Sequence, residues 1–114
     1  MNALEKRLRI KADKDQFAYL SRKTNQMPIK INTSEPHDKW VYILARREYE
    51  QGYDVIVNGR LTGGRGFPDI AVCGLSKIIE VLWSETLEKA KEKVGKYPEG
   101  WDIDFFSAEE ERYL

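Results

Sequence analysis

Cysteine, histidine, net charge and long apolar runs are all scarce or absent in this chain. One cysteine, Cys73, in 114 residues excludes an internal disulfide framework and any zinc site built on cysteines. The ordinary reading of Cys73 is a small buried core residue. No apolar stretch reaches the roughly 18 residues that a transmembrane helix needs. The opening residues, MNALEKRLRIK, lack the apolar stretch of a signal peptide. The expectation is an intracellular, cytoplasmic protein with no membrane partner. Internal repeats and low-complexity tracts are missing as well.

Net charge is the last absence, and it is deceptive. The chain has 19 basic and 19 acidic residues. Residues 1–50 carry 11 basic and 7 acidic groups, whereas residues 51–114 carry 8 and 12. A neutral total therefore hides a basic amino-terminal half and an acidic carboxyl-terminal half, and it does not decide about partners. What is present is a globular composition: 41% hydrophobic residues, with three Trp, six Tyr and four Phe. That suffices for one domain with one core.

Residues 1–36 read as a basic extension and linker. Asp13 and Gln16 have capping-box spacing, which predicts a helix start near residue 14. Residues 25–36, with two prolines, read as a linker holding a short strand at Pro28–Asn32. Residues 37–114 read as the core. Trp40, Val41, Ile43, Leu44 and Ala45 form the apolar stripe of a helix that Gly52 stops. Tyr53–Asn58 alternates as a strand, and Gly59–Gly66 is a loop with four glycines. Phe67–Cys73 and Lys77–Trp83 are two more strands around a tight turn. Ser84 would cap a helix to about Lys96, followed by a fourth strand, Trp101–Phe106. Ser107 and Glu110 have capping-box spacing for a final short helix. The three tryptophans, Trp40, Trp83 and Trp101, read as core or interface residues. The expected fold is α/β: a mixed four-stranded sheet flanked by helices, in the order αβββαβ.

Two acids stand where surface charge is not expected. Asp69 precedes the apolar Ile70-Ala71-Val72, and Glu80 lies within Ile78-Ile79-Glu80-Val81-Leu82. A carboxylate inside a buried strand costs several kcal/mol unless it is paired or bound to a cation. Two such acids on neighbouring strands repel each other, and a divalent ion relieves that repulsion. Pairing of each acid with a nearby Arg or Lys is the alternative.

Pro68-Asp69, then Glu80 eleven residues on, after a glycine loop and before a helix and strand, resembles the PD-(D/E)XK nuclease superfamily. Its members include archaeal Holliday-junction resolvases and restriction enzymes. The resemblance spans roughly residues 37–106. It implies a restriction-endonuclease-like core and a metal-dependent DNA endonuclease with Asp69 and Glu80 as ligands of Mg²⁺ or Mn²⁺. It implies no small-molecule cofactor. Branched or structured DNA would be the substrate and a homodimer the working form.

The chain departs from the family pattern at one place. Where that pattern has a lysine two residues after the glutamate, on the same strand face and about 6.6 Å along, this chain has Leu82. Lys77, Lys89 or Lys91 could stand in for it, or Glu85 or Ser84 could do its work. Otherwise catalysis is lost, and the chain is a non-catalytic nucleic-acid-binding or assembly protein on the same fold. Around the pair, His37, with Glu35 and Asp38, is the candidate for a third active-site group, and helix capping is its structural alternative. Glu48 could face the sheet or solvent. Arg60, Thr62, Gly64 and Arg65 in the glycine loop are the candidate phosphate contacts. That loop is neither a Walker A nor a dinucleotide fingerprint, because a strand and not a helix follows it.

Overall fold

A computed structural model describes residues 1–27 and 35–114. The strand expected at Pro28–Asn32 lies outside the described residues. The elements are α1 (Ala3–Lys14), α2 (Glu35–Glu50), β1 (Asp54–Val57), β2 (Ile70–Cys73), β3 (Lys77–Leu82), α3 (Leu87–Val94), β4 (Asp102–Ser107) and β5 (Arg112–Tyr113). Single 3₁₀ turns occur at Tyr19–Ser21 and Thr62–Gly64.

The molecule is α/β, with one mixed sheet of five strands in the order β1-β2-β3-β4-β5. Both β1–β2 and β2–β3 are antiparallel, β3–β4 is parallel through α3, and β4–β5 is antiparallel. The order helix–strand–strand–strand–helix–strand expected from residue 37 is present. Four strands become five because the residues after Ser107 do not continue as a helix. Ser107 Oγ does accept from the Glu110 amide at 3.0 Å. That bond closes one turn only; Glu111 then takes a positive φ of 55° and redirects the chain into β5.

Each sheet face carries its own core. Val41, Leu44 and Ala45 of α2 pack on Val55, Val57, Ile70, Val72, Ile79 and Val81. On the other face, Phe17, Ile56, Leu61, Ala71, Cys73, Ile78 and Tyr97 cluster, with Ile10 and Val94 against them. The amino-terminal segment thus enters the second core. α1 ends at Lys14, where a helix start was expected. Asp13 caps no helix: its carboxylate is buried and accepts from the Gly74 and Ser76 amides and the Ser76 hydroxyl. Phe17 is fully buried, and only a glycine at 59 leaves it room, since a Cβ there would meet Ile56 at 2.5 Å and Phe17 at 2.9 Å. α3 starts later than expected. Thr86, not Ser84, caps it, its hydroxyl accepting from the Lys89 amide at 3.3 Å. Ser84 instead takes a positive φ of 56° as the chain leaves β3. Trp40 packs on Phe106 and Trp101 on Phe17, while Trp83 is partly exposed. Among the described residues, no helix is long and apolar enough to cross a membrane.

Candidate functional site

Antiparallel pairing of Ile70 with Ile79 fixes the register of β2 and β3. One further residue sets Asp69 opposite Glu80, with both side chains on one face, because side chains alternate with period two. Apolar neighbours on both strands bury the pair: Asp69 is 7% and Glu80 2% exposed. The Val81 amide donates to Asp69 Oδ2 at 2.8 Å. The Tyr97 hydroxyl donates to Glu80 Oε1 at 2.7 Å. Lys93 Nζ stands 3.8 Å from Glu80 Oε2. His37, in the first turn of α2, places Nε2 3.3 Å from Asp69 Oδ2 and Nδ1 3.3 Å from Asp38 Oδ1.

The electrostatics follow from burial. Loss of solvent and then the Asp69 charge push Glu80 up to about 8, against smaller pulls from Tyr97 and Lys93. Hydrogen bonding with Asp69 raises it slightly further. Hydrogen bonding to Asp69 raises His37 above its ordinary value, with Asp38 adding to the effect against desolvation. Burial and the adjacent Glu80 charge drive the Tyr97 hydroxyl far above the usual phenol range, so it remains a donor. Tyr97 also lies against Gly66, whose φ of 119° and missing side chain leave room for the ring; a Cβ there would stand 3.0 Å away.

The other expected site residues are distributed unevenly. Lys77 is not at the acid pair: it lies at the far end of β3, opposite Val72, where it donates to Glu48 at 3.0 Å and stands 3.7 Å from Asp104. Glu48 thus faces the sheet and is buried. Desolvation works against the Lys77 charge, but the bond to Glu48 and its charge outweigh it and raise the Lys77 pKa. Lys89 and Lys91 are exposed on α3. Glu85 follows β3 and helps line a cleft of about 450 Å³ with Leu82, Leu87, Ser107 and Glu109. Its charge is felt at Tyr97. Arg60, Thr62, Gly64 and Arg65 are all exposed, at the sheet end that carries the acids. The loop is braced, not loose. Ala18 donates to the Arg60 carbonyl at 2.8 Å, and the Thr62 amide and hydroxyl donate to the Gln16 carbonyl at 3.0 and 3.2 Å. Neither Arg60 nor Arg65 pairs with an acid among the described residues.

Two participants were missed in the sequence, Lys93 and Tyr97. The signal for both was spacing. Ala90 and Lys93 fall at i and i+3 on α3, and Tyr97 follows four residues later, just past the helix end at Val94.

The pair fits a hard divalent cation by its donor set. Mg²⁺ typically takes one or two protein carboxylates and completes its shell with water and phosphate oxygens. Two buried acids opposed across neighbouring strands, whose charges repel each other, are a ligand pair of that kind. Among the described residues, no group of three or more His, Cys, Asp or Glu is arranged to hold a metal, so solvent and substrate would supply the remaining ligands. No protein-family model, curated protein or solved structure matches this chain.

Proposed function

We propose that this chain is a divalent-metal-dependent DNA endonuclease with a restriction-endonuclease-like core. The observation that carries the reading is Asp69 opposite Glu80 across β2 and β3, both buried. Asp69 and Glu80 would hold Mg²⁺ or Mn²⁺. When bound, such an ion lowers the pKa of water and offsets charge on the phosphate. The chain's own groups do the rest. Arg60 and Arg65 bind DNA phosphates as charged donors. Tyr97 orients Glu80 through its hydroxyl, and His37 orients Asp69. Lys93 takes the role that Leu82 leaves vacant: it holds positive charge and a proton donor 3.8 Å from Glu80. A homodimer would provide the two sites that two strand cuts need, and sedimentation velocity distinguishes it from a 13.3 kDa monomer.

A second reading, a DNA-binding protein without catalysis, is favoured by one observation. Both carboxylates already have hydrogen-bond partners, and Tyr97 covers Glu80. Incubation of plasmid, single-stranded and four-way-junction DNA with Mg²⁺ or Mn²⁺ separates the two. Cutting by the wild type and not by Asp69→Ala supports the enzyme. Binding without cutting, with log affinity falling linearly against log salt, supports the second reading. In the enzyme, Lys93→Met is expected to lower the cleavage rate about a hundredfold, the scale of one lost electrostatic donor. Lys89→Met and Lys91→Met, on the same helix but without an approach to Glu80 comparable to that of Lys93, are expected to lower it less than about twofold. Equal rates for all three variants would remove Lys93 from the site.

A further inference from the structure

The sheet end that carries the acid pair also carries two large aromatic side chains that the folded chain leaves open. Phe67 is 58% exposed and stands two residues before Asp69. Trp83 is 38% exposed and stands three residues after Glu80. β2 begins at Ile70 and β3 ends at Leu82, and the strands are antiparallel, so both residues emerge at the same end. The glycine loop between β1 and β2 brings Arg60 and Arg65 to that end, both exposed and without acid partners among the described residues. Burial would remove these rings from water at no electrostatic cost, yet the fold leaves them exposed at the sheet end to which the loop bearing Arg60 and Arg65 also comes. Acidic groups lie on the β3–β4 side, where Glu109 accepts from the Ser84 amide and Glu110 joins Glu85 at the cleft.

We infer that the site takes DNA whose bases are unpaired next to the cut, with Phe67 and Trp83 stacking on bases while Arg60 and Arg65 hold phosphates. This rests on the nuclease reading above and specifies its substrate. Base pairs inside a duplex already stack on each other and offer no free face to a protein ring. An unpaired strand does, and exposed aromatics interleaved with basic groups are the chemistry that recognises it. Every base has a π face, so the preference is for single strand over duplex and not for sequence.

The test is fluorescence anisotropy with the full chain and two labelled probes, a 20-nucleotide oligo-dT and a 20-base-pair blunt duplex. Ca²⁺ replaces Mg²⁺, so that binding is read apart from cutting. The expected result is at least about tenfold tighter binding to oligo-dT. Phe67→Ala and Trp83→Ala are each expected to weaken oligo-dT binding about five- to a hundredfold, the range of base-on-ring stacking. Their effect on the duplex should be under about twofold. Both residues are exposed, and circular dichroism establishes that the variants fold. Trp83→Phe is expected to keep the affinity while it loses fluorescence quenching by oligo-dT. Equal or tighter binding to the duplex overturns the inference and leaves the nuclease reading standing. Unchanged oligo-dT affinity in both alanine variants overturns it too, as does a change in their sedimentation alone, which would make the rings a protein contact. Binding to neither probe, with no cleavage of any DNA, removes both readings together.

Discussion

Glu80→Gln is expected to abolish metal-dependent cleavage, by about a thousandfold or more, while the folded chain becomes no less stable than the wild type at neutral pH. The first half follows from removing one of two carboxylates, since the ion supplies several kcal/mol of stabilisation to the transition state. The second half is the unusual one, because Glu80 is almost fully buried. Substitution of a buried charge normally destabilises. Glu80, however, has its pKa raised from the usual 4.5 to about 8, so at pH 7 the folded chain already holds it largely neutral. Glutamine has the same shape as that neutral acid and still accepts from the Tyr97 hydroxyl.

The same displacement fixes a pH profile for the metal-free protein. Between about 4.5 and about 8 the folded state keeps a proton that the unfolded state has released. Its contribution to stability is therefore fully present below the lower value and is lost as pH rises through the upper one. In EDTA, the wild-type melting temperature is expected to fall by about 5 °C or more from pH 5.5 to pH 8.5. His37, whose pKa is also raised, adds a slope of the same sign. Glu80→Gln removes the Glu80 part and leaves that of His37. Added Mg²⁺ should raise the wild-type melting temperature more at pH 8.5 than at pH 5.5, because at low pH it must displace the proton. Differential scanning fluorimetry across that range reads all of this. Parallel pH profiles for wild type and Glu80→Gln would show that the acid pair is not coupled as the geometry implies.

The acid pair was legible in the sequence for a simple reason. Asp69 and Glu80 interrupt runs of Ile, Val and Leu, and a charge in such a run needs an explanation. The elements from residue 37 to 106 were legible because their apolar spacing is regular. Three features were not. Asp13 looked like a helix cap because local spacing cannot reveal that its three donors come from residues 74 and 76. Phe17 and Leu20 are three residues apart, the spacing of one helical face, but Phe17 enters a core and Leu20 is exposed. Lys93 lies within the charge alternation ETLEKAKEK, and only the packing of α3 on β3 brings it to Glu80. Each miss is a long-range contact whose partner lies dozens of residues away or on another element, beyond any windowed pattern.

Asp13→Ala is expected to lower the stability of the fold by about 3 kcal/mol. Asp13 Oδ2 accepts from the Gly74 amide at 2.7 Å and the Ser76 amide at 2.9 Å, and Oδ1 accepts from the Ser76 hydroxyl at 2.7 Å. Alanine leaves these three donors without their acceptor, two of them on the backbone of a tight turn. Arg9 Nη2, which donates to the Leu75 carbonyl at 2.8 Å, holds the same turn but cannot replace an acceptor. For a chain of this length, about 3 kcal/mol corresponds to a fall in melting temperature of about 12 °C. Asp13→Asn keeps one oxygen for the two amides and can donate to Ser76 Oγ. It loses only the charge assistance and should lower stability by about 1 kcal/mol. The site feels this turn directly. Residues 74–76 join β2 to β3, and their geometry sets the register that places Asp69 opposite Glu80. A slip of one residue would put the two acids on opposite faces of the sheet. Urea unfolding followed by circular dichroism measures the loss, and a fall of less than about 1 kcal/mol for Asp13→Ala would mean that water replaces the carboxylate at the turn.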